Sequence, residues 1–232
     1  MQRTLILKTS TGRHFASMLE FTASGVQGIF DNVGINSALA RSILIEVAEA
    51  LPQVQATEHP LGFAHLELTS VLGTSFRTRL HLWTQETRQW ADELGSLHDH
   101  TWELNSAVLT GGLTDTYLEP RQTDDGQYGA YQIQYGSGRN TTIRLAGRWA
   151  LDERGRRKVV AGETYKLPPR AVHRTVVDSF PTATLVIARE MGGEGPKVFL
   201  PGAASELPAG ERMEIDPRWT YQALQRAIAS LS

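Results

Sequence analysis

The chain has 232 residues, 41% of them hydrophobic and 21% charged, with a formal net charge of −2. This is the composition of a globular protein long enough to bury its own core, and it leaves no basic footprint for nucleic acid. The absence of cysteine excludes disulfides, thiolate metal sites, iron–sulfur clusters and any cysteine nucleophile.

Leu5-Ile6-Leu7 is too short for a signal peptide because Lys8 follows it. No stretch approaches the roughly 20 apolar residues of a membrane span, so a soluble cytoplasmic protein without a membrane partner is expected. Residues 1–60 read mainly as helix. A helix is expected over Gly12 to Thr22, then a glycine-punctuated connection from Gly25 to Gly34. Asn36 is a candidate N-cap, and Leu39, Ile43, Leu44, Val47 and Leu51 fall at helical spacing until Pro52 stops the run.

From about residue 62 the period changes to that of strands. Phe63 to Val71 alternates up to Gly73. Phe76 to Trp83 places Phe76, Thr78, Leu80 and Leu82 on one face and Arg77, Arg79, His81 and Trp83 on the other. Glu86 to Glu93 reads as a polar loop or a helical turn. His98 to Thr110 reads as a strand, Gly111-Gly112 as a hairpin signal and Leu113 to Leu118 as the return strand. Further strands are expected at Tyr128–Gly138, Thr141–Leu151, Lys158–Leu167, Ala171–Val177 and Ala183–Arg189, with a solvated turn at Asp152–Arg157 around Gly155. About eight or nine short strands with regular turns are the signature of a β-sandwich or barrel. After Gly192-Gly193 a Pro/Gly-rich surface segment runs to Gly210, and Pro217 opens a final helix with Trp219, Leu224, Ile228 and Leu231 as a loose apolar stripe. The expected organisation is a helical extension over 1–60, a barrel over 61–192, and a loop and helix over 193–232.

The chemistry concentrates in His98-Asp99-His100 and in Gly162-x5-Pro168-x4-His173. In a strand, residues i and i+2 share a face, so His98 and His100 can aim at one point. His173 on a neighbouring strand would complete a facial set of three nitrogens, which holds a divalent metal and leaves other positions open. The bland reading is a metal-free barrel whose histidines bond only within it. His14, His59 and His65 lie outside the two stretches and read as structural or exposed. Glu103 lies three residues after His100 and should face away from the metal unless a bulge intervenes. If Arg77, Arg79, His81 and Trp83 face the barrel interior, they line a substrate pocket with cationic anchors for a carboxylate; the alternative puts them in solvent. Trp102, Tyr117, Trp149 and Tyr165 have the character of core aromatics.

Residues 63–190 resemble a cupin, a small jelly-roll barrel with two short metal motifs. The first family motif, G-x5-H-x-H-x3-4-E-x6-G, is met by His98, His100 and Gly112, with Asn105 in place of Glu and the leading Gly displaced to Gly95. The second, G-x5-P-x-G-x2-H-x3-N, is met by Gly162, Pro168 and His173, with Arg170 in place of Gly and Val177 in place of Asn. Among cupins the chain is most similar to the cysteine dioxygenase-like group, which binds iron(II) through three histidines. The likeness lies in His98 to Thr101, Leu109 to Leu113, His173-Arg174 and the strand ending at Trp83. That group's cysteine falls at Asn105, and its last-strand His and Tyr fall at Val186 and Ala188, which argues against cysteine as substrate.

The resemblance implies a mononuclear non-haem iron(II) dioxygenase acting with O2 on a small polar, metal-chelating molecule, thiol or amino-acid-like. His98, His100 and His173 would hold iron, with zinc, nickel, manganese or copper as other metals an imidazole set accepts. Asn105 would orient substrate or oxygen, and Arg77, Arg79, His81, Trp83, Glu103 and Tyr117 would contact substrate, with no separate organic cofactor. Rival readings are a non-redox lyase or isomerase using the metal as a Lewis acid, and a small-molecule-binding barrel without turnover. A homodimer is among the states the resemblance allows.

Overall fold

Asn36 opens the first described helix as expected: its Oδ1 accepts the backbone N–H of Leu39 at 2.8 Å. The structure, a computed structural model, describes residues 28, 30, 35–72, 76–91, 97–134, 141–190, 193–202 and 212–231. The helix expected over Gly12 to Thr22, His14 with it, and most of the Gly25 to Gly34 connection lie outside those residues. Helix α1 (Ser37–Ala50) buries Ala40, Ile43, Leu44, Val47 and Ala48 on one stripe, and a 3₁₀ turn containing Pro52 ends it.

The strands follow. β1 (Ala56–His59) and β2 (Phe63–Glu67) come first, then the single turn α2 (Thr69–Leu72) and β3 (Arg77–Trp83). After a 3₁₀ turn at Thr87–Trp90 come β4 (Trp102–Thr110), β5 (Gly112–Gln122), β6 (Tyr128–Gln134) and β7 (Thr141–Arg144). β8 (Trp149–Val160), β9 (Thr164–Leu167), β10 (Val172–Val177), β11 (Thr182–Glu190) and β12 (Lys197–Pro201) complete the set, and α3 (Pro217–Ala229) ends the described chain. One sheet runs β1-β2-β3-β11-β4-β9 and the other β10-β5-β8-β6-β12, with β7 on β6. All pairings are antiparallel. The fold is mostly β, with helices near both ends. Consecutive strands from β8 to β11 alternate between the two sheets, which is the jelly-roll way of winding.

Four local expectations change. Gly111-Gly112 is not a hairpin between paired strands: Gly111, at φ 76°, turns the chain from the first sheet into the second. A side chain at 111 would strike Thr182 Oγ1 at 2.1 Å, so the turn requires glycine. Asp152–Arg157 is not a turn but the middle of β8. Its run of charge is a solvent-facing strand, and a register shift opposite Tyr117/Leu118 absorbs the extra residue. Thr141–Leu151 breaks in two at Gly147, whose φ is 88°. The segment after Gly192 contains β12, so the sheets reach from Ala56 to Pro201, beyond the expected 61–192.

The two faces of the first sheet are distinct. Leu66, Leu80, Leu82, Ala107, Leu109, Ala183, Leu185 and Ile187 pack against α1 and α3 in one apolar cluster. The opposite face contributes Trp102, Leu104, Val108, Tyr165, Leu167, Val186 and Ala188, which meet Leu113, Val159 and Tyr117 of the second sheet. This face is the interior of the barrel.

Candidate metal centre

His98 lies before β4 in a short bridge rather than in the long strand expected from residue 98. Its N–H donates to the carbonyl of His173 at 3.2 Å, and the N–H of His173 donates back at 2.9 Å. His98 also bridges Val198 of β12, so the stretch around it links β10 to the far edge of the second sheet. The two motifs, 75 residues apart by their numbers, are therefore hydrogen-bonded neighbours. A directly opposed antiparallel pair puts its side chains on one face, and the rings of His98 and His173 are 4.6 Å apart between centroids. His100 stands 4.8 Å from His98 and 5.1 Å from His173 by the same measure. One ligand atom from each of the three lies within 4.8 Å of the others.

His173 is buried, and its Nδ1 faces Asp115 Oδ1 at 2.8 Å. Asp115 is fully buried in β5 and also accepts from Thr175 Oγ1 at 3.0 Å. The carboxylate fixes the tautomer: Nδ1 carries the proton, and Nε2 presents its lone pair to the interior. That Nε2 is 3.1 Å from His100 Nε2. Two nitrogens each about 2.0–2.1 Å from one ion are separated by about this distance. Burial, then the neighbouring His98 and His173, then His81 and Arg79, hold the His100 pKa well below its usual value. The ring is neutral at pH 7, the form that ligates metal. Donor type, separation and the carboxylate behind His173 all fit a divalent transition metal.

The interior face beside the triad is polar. β3 pairs with β11 so that Trp83, His81, Arg79 and Arg77 oppose Thr182, Thr184, Val186 and Ala188. Val186 and Ala188 belong to the interior cluster, so the Arg77-to-Trp83 row faces inward and Thr78, Leu80 and Leu82 face the helices. Arg79 pairs with Glu67 at 3.4 Å and lies 5.5 Å from the Trp102 ring centroid; Arg77 lies 5.9 Å from it. Trp102 stacks on His100 at 5.3 Å. Tyr117 lies directly opposite His173 and contacts Arg157. His59 and His65, expected as structural or exposed, are on this face too: His65 opposes His81, and His59 stacks on Phe63 at 4.1 Å. Burial, then Arg79 and Arg212, press the His65 pKa down to about 3. Among the buried polar atoms on the interior walls, His65 Nε2, Trp102 Nε1, Ser106 Oγ, Thr184 Oγ1 and Asp115 Oδ2 have no hydrogen-bond partner among the described residues.

Asn105 and Glu103 do not join this group. The β4–β11 register is continuous from Trp102 to Val108, so no bulge turns them inward. Asn105 opposes Ile187 of the helix-side cluster, and its Nδ2 donates to Glu103 Oε1 at 3.3 Å. A β-strand separates both side chains from the imidazoles. The expected roles of Asn105 at the metal and Glu103 on substrate are corrected on this ground. Asp115 is the residue that sequence reasoning missed. A carboxylate alternating with Leu113 and Tyr117 on an apolar strand face was the available signal. A surface groove edged by Leu51, Val54, Ile215 and Tyr221 lies on the helix side and includes none of the histidines.

No family model matches the chain, and no curated protein does. Among solved structures, a hydroquinone 1,2-dioxygenase with Cd2+ and 4-hydroxybenzonitrile is 14% identical over 65% of this chain and 76% of its own, with a TM-score of 0.34. A second hydroquinone 1,2-dioxygenase, from Sphingomonas sp. TTNP3 with 4-hydroxybenzoate bound, is 15% identical over 51% and 64%, with a TM-score of 0.30. An oxalate oxidase in complex with glycolate is 17% identical over 60% and 56%, with a TM-score of 0.33. The chain thus spans less than two thirds of the latter two, and its function is read from its own side chains.

Proposed function

We propose that this protein is a metal-dependent cupin-type oxygenase, a mononuclear iron(II) dioxygenase acting on a small, polar, metal-chelating molecule. The observation that carries the reading is the convergence of His98, His100 and His173 on one point, with Asp115 fixing the tautomer of His173. Bound by the three imidazoles, iron(II) supplies the one-electron chemistry that lets O2 react with an organic molecule. Neutral imidazoles leave the ion's charge uncancelled, which favours an anionic chelating substrate.

The remaining work falls to the barrel wall. Arg79, held by Glu67 and Trp102, presents a cation to the interior. Thr184 and His65 present polar atoms that have no partner among the described residues. Leaving such groups buried and unpaired costs about 1–3 kcal/mol each, which a polar ligand or water recovers. Arg77, His81, Trp83 and Tyr117 frame the same space, and the apolar cluster around Leu104 and Val186 limits water on its far side. A thiol or amino-acid-like substrate suits this wall.

The test is anaerobic loading of the purified protein with iron, followed by oxygen-electrode measurements with candidate chelating acids and thiols. Uptake of O2 is expected with the true substrate and none with His173→Ala. Three imidazoles accept zinc as readily, and turnover by the zinc-loaded protein without O2 would replace this reading with the lyase or isomerase one.

A further inference from the structure

We infer that Arg170, acting with Asp99, is a positioning residue that clamps together the chain segments carrying the three histidines. The inference rests on the metal reading above and adds a residue to it. Among the described residues Arg170 is the one non-glycine with positive φ, at 67°. That conformation strains an ordinary side chain, and glycine not at all. Holding arginine there requires a return from its contacts.

Those contacts radiate to each segment around the site. The Arg170 N–H donates to the carbonyl of His100 at 2.8 Å. Its Nη1 donates to the carbonyl of Gly195 at 2.9 Å, and its Nη2 to that of Glu194. The same Nη1 lies 3.5 Å from Asp99 Oδ2. Asp99, almost fully buried between the two ligands His98 and His100, also accepts the backbone N–H of Lys197 at 2.6 Å through Oδ1. Three residues after Arg170 comes His173. One guanidinium thus joins the turn that leads into His173, the His98–His100 stretch and the 194–197 segment. Because the backbone of His98 is hydrogen-bonded to that of His173, slack at Arg170 is slack in the ring-to-ring distances.

Backbone and side chain can be separated by substitution. Arg170→Gly keeps the N–H and relieves the φ while deleting the guanidinium; Arg170→Ala deletes the guanidinium and keeps the strain. Asp99→Asn removes the charge that Arg170 meets. The experiment measures zinc affinity by chelator competition, the unfolding midpoint, and amide hydrogen exchange of the metal-free full chain. For Arg170→Gly, zinc Kd rises about tenfold or more, the scale of a lost outer partner of a ligand, while the unfolding midpoint stays within a few degrees. Exchange protection falls at the amides of His98, Arg170 and His173. Asp99→Asn shifts zinc affinity in the same direction. Unchanged protection at those three amides in Arg170→Gly overturns the clamp, whether or not zinc binds. Unchanged zinc affinity with a lowered midpoint overturns it too, since that is the mark of a merely structural residue. Failure of the wild-type chain to bind zinc or iron counts against the metal reading alone, because the exchange measurement needs no metal.

Discussion

The two faces of the first sheet are made of the same strands but to opposite standards. On the helix side, Leu80, Leu82, Ala107 and Leu185 are fully buried in an apolar cluster that asks nothing of hydrogen bonding. On the barrel side, one residue along each strand, stand Arg79, His81, Trp102 and Thr184, and among the described residues Trp102 Nε1 and Thr184 Oγ1 are left unpaired. Strand alternation lets one sheet carry both. The large apolar cluster lies on the face that touches α1 and α3, where Asn105 Oδ1 is also buried and unpaired among the described residues, and the candidate chemistry lies on the face that holds more such groups.

The sharpest way to break this contrast is a substitution on the helix side read against both stability and metal affinity. Leu80→Ala on the helix side should cost about 2–5 kcal/mol of unfolding free energy, as for a fully buried leucine, while metal affinity of the folded fraction stays as it was. Urea unfolding and zinc titration measure the two effects. If Leu80→Ala weakens metal binding as strongly as it weakens the fold, the faces are not independent.

Next in size is the effect of the ion itself. Binding to the folded chain at a free concentration one hundred times Kd should raise unfolding free energy by about 2.7 kcal/mol, and His173→Ala should abolish the rise. Asp115→Asn should keep most of the fold yet weaken metal binding about 10–100-fold, because the amide no longer fixes the His173 tautomer. Calorimetric titration reads this directly, and an unchanged affinity would remove Asp115 from the site.

A smaller effect has the opposite sign. Thr184 is buried with an unpaired hydroxyl among the described residues. Thr184→Val has nearly the same shape and lacks the orphan, so the ligand-free protein should gain about 1 kcal/mol. A loss of stability would mean that the hydroxyl is paired in solution.

The helix side was the easier to read from sequence. The stripe Leu39 to Leu51, the Asn36 cap and Pro217 each act locally, and the structure repeats them. The triad was readable because H-x-H in an extended segment forces two rings to one side, and the Pro168-to-His173 spacing carries a family resemblance. Alternation also separated Arg77, Arg79, His81 and Trp83 from Leu80 and Leu82 correctly, but not which row met the helices. That depends on a partner distant in sequence: Leu80 faces inward or outward only according to where α1 and α3 dock. Asn105 failed for a related reason, since matching a motif by spacing ignores strand parity, and parity places it with Ile187. Gly155 amid arginines imitates a turn by composition, yet the pairing of β5 along the whole of β8 makes it a strand.

The last expected effect is of similar size and confined to high pH, and it tests how a carboxyl is tolerated on the helix side. Glu46 lies on α1, partly buried, and burial first, then the neighbouring Glu49, raises its pKa from 4.5 to about 7. A carboxyl whose folded pKa exceeds its unfolded one holds its proton more tightly when folded. Its effect is absent below about pH 4.5; stability then falls as pH rises, until the folded group ionises near 7. Above that, the buried charge is a fixed cost. Glu46→Gln should therefore stabilise the protein by about 1 kcal/mol at pH 8 and leave it nearly unchanged at pH 4. Unfolding curves at the two pH values give the difference. The gain should appear without any change in metal affinity, because Glu46 belongs to the helix that covers the outer face and the histidines open to the inner one.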